Sequence, residues 1–412
     1  MKRGHSRTPL VLIAGGGPVG LFCALLLGRR GLHVRVFEAC ASPLEDPRAA
    51  TTHPATLEVL GEAGLVEDIA RLGLVAPIVQ FWDRPTGSLV AEFDHATLKD
   101  DTSYPFVVQC EQFKTAMLIL KRLRSLPNVE ILFNHEVVDV SQTEHSVSVR
   151  VRGADGITTH DGIHVIGADG ARSTVRKQTG ISFAGFTWPE RFIVLTTSYD
   201  FEAAMGCCPR SYFADPEEWC NCFKVSANGP PGLWRLVFPT NLDSSEAELM
   251  SESAVQARLQ RFFRLSTPYD IVHRNLYVTH QRVASTFRLG RVLLAGDAAH
   301  VNNPIGGMGL NGGLQDAANL SNKLAAILLD EASDRQLDLY DRQRRMVAVE
   351  FVQQQSIENK KRLEARDPAI RAQHLANLRD IAADPVRARQ FLLRTSMIAS
   401  QRRAAAINLE EA

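Results

Sequence analysis

Apolar residues change their spacing from one segment of the chain to the next. Residues 10–14 (LVLIA) are apolar without interruption, the pattern of a strand buried on both faces of a parallel sheet. Residues 18–30 then set Leu21, Ala24, Leu25 and Gly28 on one helical face, and Gly31 stops the helix. A second strand is expected over 33–37, with Glu38 at its end. Residues 10–38 therefore read as one βαβ crossover.

The pattern shifts between 183 and 277. The runs RFIVLTTSYDF, RSYFAD, WCNCFKV and LWRLVFPT are rich in aromatic and β-branched residues and predict an antiparallel sheet. A period of two puts Arg210, Tyr212 and Ala214 on one face. Helical spacing returns over 313–329 and 336–364. Two shorter helices and a frayed tail at 403–412 complete the chain. These helices are expected to cover the nucleotide domain or to form the face of a homodimer.

The junction of the first strand and helix carries Gly15-x-Gly17-x-x-Gly20. Gly15 permits the tight turn, Gly17 the approach of a pyrophosphate, and Gly20 close packing of helix on sheet. Pro18 and Val19 open the helix, whose free N–H groups suit an anion. Glu38 can accept from ribose hydroxyls and would repel a 2′-phosphate, so the nucleotide is FAD or NAD rather than NADP. A strand–turn–helix with no ligand is the alternative.

Two later segments bear on that choice. In VIGADGARSTVRKQTGI, a strand ends at Asp169-Gly170, and Arg172, Arg176 and Lys177 follow on a short helix; alone it reads as a polar turn with a solvated basic helix. In GRVLLAGDAAHVNNPIGGMGLNGGLQDAANL, a buried strand ends at Gly296-Asp297, and a glycine-rich loop, residues 304–309, feeds a helix beginning near Asn311. Asp297 can accept from polyol hydroxyls, and the helix start favours a group that becomes anionic.

Taken together, the three segments resemble the class A flavoprotein monooxygenases, the single-component aromatic hydroxylases, in their phenol hydroxylase and polyketide hydroxylase branch. Gly15-x-Gly17-x-x-Gly20 is similar to the first nucleotide motif of that family, Asp169-Gly170 to its DG motif, and Gly296-Asp297 with the following run to its GD motif and flavin loop. LYDRQRRMVA resembles its Y-x-x-x-R-R element. The likeness covers about residues 9 to 360.

The resemblance implies FAD, with NADH or NADPH and O2 as co-substrates. Glu38 and Ala39 would lie at the adenosine ribose, Arg48 near the adenine and pyrophosphate, and Gln109 near the ribityl chain. Asp297 would hold ribityl hydroxyls, with Asp169 and Gly296 beside it. Pro304, Gly307, Gly309, Leu310 and Asn311 would face the isoalloxazine edge. An arginine that many relatives carry around residues 53–58 is missing. So is room for the C-terminal thioredoxin-like domain of larger phenol hydroxylases.

The implied fold is α/β: a Rossmann-like FAD domain of the GR2 type interleaved with a mostly antiparallel substrate sheet, plus C-terminal helices. The FAD domain would take residues 9–80, 109–182 and 281–330. The substrate domain would take 81–108 and 183–280, and the helices 331–402. The implied chemistry is hydroxylation of an electron-rich ring, phenolic or hydroxypyridine, by a flavin C4a-hydroperoxide. Arg191, Tyr199, Arg210, Tyr212, Cys222 and Arg235 are candidates to face the ring, with Arg210 and Tyr212 as a clamp for a substrate carboxylate. His300 is the candidate base. Alternatives on the same scaffold are a polycyclic hydroxylase, an epoxidase or a reductase. A flavin-bearing module without turnover is a further one.

Composition adds boundaries. The chain has 412 residues, 45% apolar and 22% charged, ordinary for a globular protein. Its 46 basic and 46 acidic residues cancel, which argues against a nucleic-acid partner. No apolar run approaches the ~20 residues of a membrane span. Lys2, Arg3, His5 and Arg7 precede an apolar run too short for a secretory signal, so they read as a solvated leader. Seven cysteines, at 23, 40, 110, 207, 208, 220 and 222, match no zinc spacing and read as free thiols in a reducing cytoplasm.

Overall fold

The computed structural model describes residues 10–45, 49–241 and 243–408. The basic leader, residues 1–9, lies outside them, and so does Arg48.

A six-stranded sheet runs in the order Arg288–Leu289, Val292–Leu294, His164–Gly167, Leu10–Ala14, His33–Glu38, Val129–Phe133. All neighbours are parallel except the Arg288–Leu289 edge. The apolar run at 10–14 is central because both its faces are covered: Val11, Leu12 and Ile13 are fully buried. Helix Pro18–Arg29 packs between Gln112–Leu123 and Met308–Leu328 in the same core. This is the expected Rossmann-like layer.

The second layer is an eight-stranded sheet: His300–Val301, Ile271–Ala284, Phe183–Thr197, Leu233–Thr240, Cys220–Val225, Arg210–Ala214, Ile78–Asp83, Ser88–Asp94. It is antiparallel apart from the Arg210–Ala214 and Ile78–Asp83 pair. Its two faces bury different sets. Tyr212 and Ala214 join an apolar cluster with Ile305, Met308 and the C-terminal helices, whereas Phe213 joins an aromatic core with Phe201, Trp234 and Phe262. The Val292–Leu294 strand belongs to the first sheet and His300–Val301 to the second, so residues 295–299 carry the chain from one sheet to the other.

Four local expectations change. The helix expected from Asn311 starts at Met308, because Gly306 and Gly307 at φ 97° and 69° complete the turn before it. Helix Arg335–Val347 continues through a π turn, Ala348–Gln353, into Gln354–Glu364. Three helices follow rather than two: Pro368–Ala383, Pro385–Thr395 and Ile398–Ala405. Asp384 and Pro385 divide the first pair, since Asp384 caps the new helix and Pro385 fits its first position. The tail expected from 403 is partly helical, with Ala404 buried. Residues 409–412 lie outside the described residues.

Candidate active site

The three glycine-bearing motifs sit at the C-terminal ends of adjacent parallel strands, where open α/β sheets bind ligands. They touch one another. A Cβ on Gly15 would overlap the Ala168 carbonyl, next to Asp169. Val19 packs so closely on the third motif that a Cβ on Gly296 or Gly313 would come within 3.0 or 2.7 Å of it. Gly17 differs: it caps helix Pro18–Arg29 with no side-chain cap, and a Cβ there would meet nothing within 4 Å. The helix start thus faces open space, with unpaired N–H groups directed into it.

Acceptors surround that space. Glu38 holds the glycine turn, its Oε2 accepting from the Gly16 N–H at 2.6 Å and its Oε1 from the Cys40 N–H at 2.8 Å. Ala39 lies exposed beside it. Asp169 Oδ2 accepts from the Thr174 and Val175 amides at 2.7 and 3.1 Å, while Oδ1 is buried with no protein partner. Burial pushes this carboxyl upward, and its hydrogen bonds only partly offset that. Asp297 sits exposed on the turn Gly296–Ala298. Arg176 is not the solvated residue of a basic helix. It is buried, lies 3.8 Å from the Phe183 ring centroid, and donates to the Ala298 and Ala171 carbonyls.

The glycine-rich loop is fastened from below. The Pro304 carbonyl accepts from the Gly307 N–H at 3.0 Å, and the first amides of helix Met308–Leu328, those of Met308, Gly309 and Leu310, have no intrahelical acceptor. Asn311 was expected at the ring edge, but its side chain is fully engaged inside the protein. Oδ1 accepts from the His53 N–H at 2.8 Å, and Nδ2 donates to the Thr51 and Gly307 carbonyls at 2.7 and 2.6 Å. That side chain pins the loop. Gln109 is buried beside Thr51, whose hydroxyl donates to Gln109 Oε1 at 2.9 Å; Gln109 Nε2 has no protein partner.

A cavity opens where the loop meets the second sheet. It holds about 420 Å³ of space, part of it open to solvent. Arg210 and Tyr212 reach it from the sheet, Gly306 and Met308 from the loop, and Phe81 from the neighbouring strand. The Phe81 and Tyr212 rings stack at 5.2 Å, and Phe391 meets Phe81 edge-on at 6.0 Å. Helix Gln354–Glu364 contributes Asn359, Arg362 and Leu363. None of the lining residues is acidic.

Two buried imidazoles lie in the field of the Arg210 guanidinium. His53 Nε2 donates to the Gly306 carbonyl at 2.7 Å, so its Nδ1 carries the lone pair. His95 Nδ1 donates to the Pro77 carbonyl at 2.7 Å, leaving the lone pair on Nε2. Among the described residues neither free nitrogen has a partner, nor does Arg210 Nε. Burial, then Arg210, holds His53 well below the ordinary histidine range and His95 at about 4.

His300 is placed elsewhere. Its Nε2 is 2.8 Å from Asp316 Oδ2, its ring stacks on Phe287, and it does not line the cavity. Asp316 also accepts from the Gly296 amide at 3.0 Å and from Arg344 Nε at 2.6 Å. Burial raises this carboxyl, but Arg344 and His300 outweigh it and keep it ionised. The Y-x-x-x-R-R element therefore braces the GD turn: Tyr340 donates to the Leu294 carbonyl and Arg344 anchors Asp316. Tyr199 and Cys222 lie in the aromatic core on the far face of the second sheet. Arg191 donates to the carbonyls of Asn241 and Ser244, and Arg235 is buried near Glu111. All seven cysteines are free thiols, five of them buried. His53, His95, Asn359, Arg362 and Phe391 escaped the sequence reading. Only Asp316 and Arg344 carried a signal there, inside quoted motifs whose partners lie far apart in the chain.

Residues 8–355 match the family described as FAD binding domain. The chain belongs to this family. It is a class A FAD-dependent aromatic hydroxylase. It is 38% identical to para-nitrophenol 4-monooxygenase of Pseudomonas sp. (strain WBC-3), over 93% of this chain and 94% of that protein. It is 32% identical to 6-hydroxy-3-succinoylpyridine 3-monooxygenase of Pseudomonas putida (strain DSM 28022 / S16), over 93% and 96%. The crystal structure of p-nitrophenol 4-monooxygenase from Pseudomonas putida DLL-E4 superposes with a TM-score of 0.88 at 36% identity, covering 93% of this chain and 96% of that one.

The residues of this hydroxylase fit FAD. Gly17 leaves room at a helix start, and Gln109 Nε2 and Asp169 Oδ1 are buried polar atoms with no partner among the described residues. Among the described residues, no helix is long and apolar enough to cross a membrane.

Proposed function

We propose that this hydroxylase uses NADH or NADPH and O2 to oxygenate a single electron-rich ring, a phenol or a hydroxypyridine. The observation that carries the reading is the cavity itself: three aromatic rings and an arginine, Arg210, with no carboxylate partner among the described residues, directly against the glycine-rich loop.

FAD, when bound, supplies the redox chemistry with the nicotinamide and dioxygen. Glu38 and Gly17 would hold its adenosine and pyrophosphate, Gln109, Asp169 and Asp297 its sugar and ribityl hydroxyls. The Met308, Gly309 and Leu310 amides would stabilise negative charge at the ring. On the substrate side, Tyr212 and Phe81 pack the ring, and Arg210 holds the ring oxygen as its anion. An ionised oxygen makes the ring more nucleophilic. His53 and His95 are held neutral near Arg210, so the released proton leaves to solvent rather than onto either imidazole. Phe391 and the C-terminal helices exclude water.

The names of the relatives support a small ring. One acts on para-nitrophenol at position 4, the other on 6-hydroxy-3-succinoylpyridine at position 3. In both names the oxygenated carbon already bears a substituent, opposite the hydroxyl. The same outcome, oxygenation at a substituted carbon para to a hydroxyl, is proposed here.

The test is anaerobic reduction of the bound flavin by NADH and by NADPH, with and without para-substituted phenols and hydroxypyridines. One nicotinamide should reduce the flavin, and a ring that fits should accelerate it at least about tenfold, which corresponds to about 1.4 kcal/mol. Fast reduction that no aromatic compound changes would point to a reductase instead.

A further inference from the structure

Arg362 is the second guanidinium on the cavity wall. Among the described residues no carboxylate lies within ion-pair distance of it. Glu358, the acid whose charge bears on it, is itself paired with Arg394 at 3.3 Å. The protein contact that positions Arg362 is a ring: its guanidinium carbon stands 5.8 Å from the centroid of Phe391, another wall residue. Asn359 precedes it by one helical turn on Gln354–Glu364, so both side chains face the same way and both line the cavity. The side chain is half-buried, and burial pulls the guanidinium below its ordinary value. Among the described residues the cavity offers this charge no acid, so a ligand with an acceptor can supply the partner.

Arg210 already answers for one acceptor on the ring. We propose that Arg362, assisted by Asn359, binds a second acceptor: a planar pair of oxygens carrying full or partial negative charge, such as a carboxylate or a nitro group, on a substituent away from the ring hydroxyl. A guanidinium fork matches that geometry with two parallel N–H donors, which a lysine cannot reproduce. The preferred substrate is therefore a ring with two acceptor groups, one for each arginine. This rests on the single-ring phenol reading above and adds the substituent to it.

The experiment uses the FAD-loaded enzyme without nicotinamide and reads ligand binding from the change in the flavin absorption spectrum. The probes are 4-nitrophenol, 4-hydroxybenzoate and 4-methylphenol, the last lacking the second acceptor. Arg362→Met keeps an unbranched side chain of similar length without the charge, and Arg362→Lys keeps the charge but loses the fork; both are first checked for full flavin content. Arg362→Met should weaken whichever of 4-nitrophenol and 4-hydroxybenzoate the wild type prefers by about tenfold to a hundredfold. It should leave 4-methylphenol within about threefold, and Arg362→Lys should fall between. Preference for the nitro or the carboxylate probe tells the two acceptors apart. Equal weakening of all three ligands would make Arg362 a packing residue and overturn the proposal. So would no change in any of them. If the wild type binds none of the three, the single-ring reading fails and this proposal falls with it.

Discussion

His95 is fully buried, donates through Nδ1 to the Pro77 carbonyl, and is held at about 4 by burial and by Arg210. His164 is held at about 4 by burial and Arg291, and His53 lies well below its ordinary value. The sign follows. Between about 4 and the ordinary value near 6.5 the unfolded chain binds protons that the folded protein refuses. Stability is full above that window and falls as pH drops through it, by up to about 1.4 kcal/mol per pH unit for each such imidazole. Denaturant titrations at pH 7.5, 6.5, 5.5 and 5.0 should show that loss. His95→Asn keeps a donor for the Pro77 carbonyl and removes the titration, so its loss should be shallower by about one imidazole's share. Identical slopes in variant and wild type would mean that His95 does not stay neutral in the fold. No periodicity in the sequence flags these histidines, because a lone imidazole reads alike whether it is solvated or enclosed.

At the scale of elements, the first βαβ unit separates glycines that build the fold from one that admits the ligand. A Cβ on Gly20 would overlap the Gly15 carbonyl, so helix and strand could not keep their spacing. Gly17 has a backbone any residue adopts, φ −72° and ψ 178°, and open space beyond it. Gly20→Ala should therefore cost about 3 kcal/mol or more and yield little folded protein. Gly17→Ala should leave the apoprotein's thermal midpoint near the wild type and weaken FAD binding about tenfold or more, since the methyl group takes space a pyrophosphate needs. Calorimetry of both apoproteins and flavin titration of the second would check this. If Gly17→Ala bound FAD as tightly as the wild type, the cofactor could not run past this turn. Both glycines were legible in the motif; their different tasks were not, because a spacing rule says nothing about what stands opposite each residue.

For the molecule as a whole, the C-terminal helices close the cavity and are held by ion pairs distant in sequence. Asp101 accepts from Arg389 at 2.6 and 2.8 Å and from Arg402 at 2.8 Å, and Asp83 pairs with Arg371. Phe391 stacks on Phe93 at 4.4 Å within the same layer. These contacts lie on the substrate side, away from the nucleotide motifs. Asp101→Asn should loosen the layer and admit water to the cavity. The measurable result is a smaller share of nicotinamide oxidation yielding hydroxylated product and a larger share yielding hydrogen peroxide, with flavin affinity unchanged. Unchanged coupling would mean that the helices exclude water without that latch.

The sequence by itself determined the nucleotide layer and its chemistry. Continuous apolar runs, the glycine spacing and the GD and DG turns are local patterns, and local sterics and hydrogen bonding leave them few solutions. The alternation of Arg210, Tyr212 and Ala214 also declared a shared face. What covers that face was decided by tertiary structure alone. Arg362 and Phe391 come from helices more than a hundred residues away. His300 proved to be tied to Asp316, which Arg344 anchors in turn, and Asn311 to pin a loop. Periodicity reports which side of an element is buried, but not the partner that buries it. That partner is set by how the layers pack, and packing is where a surface arginine and a cavity arginine first become different residues.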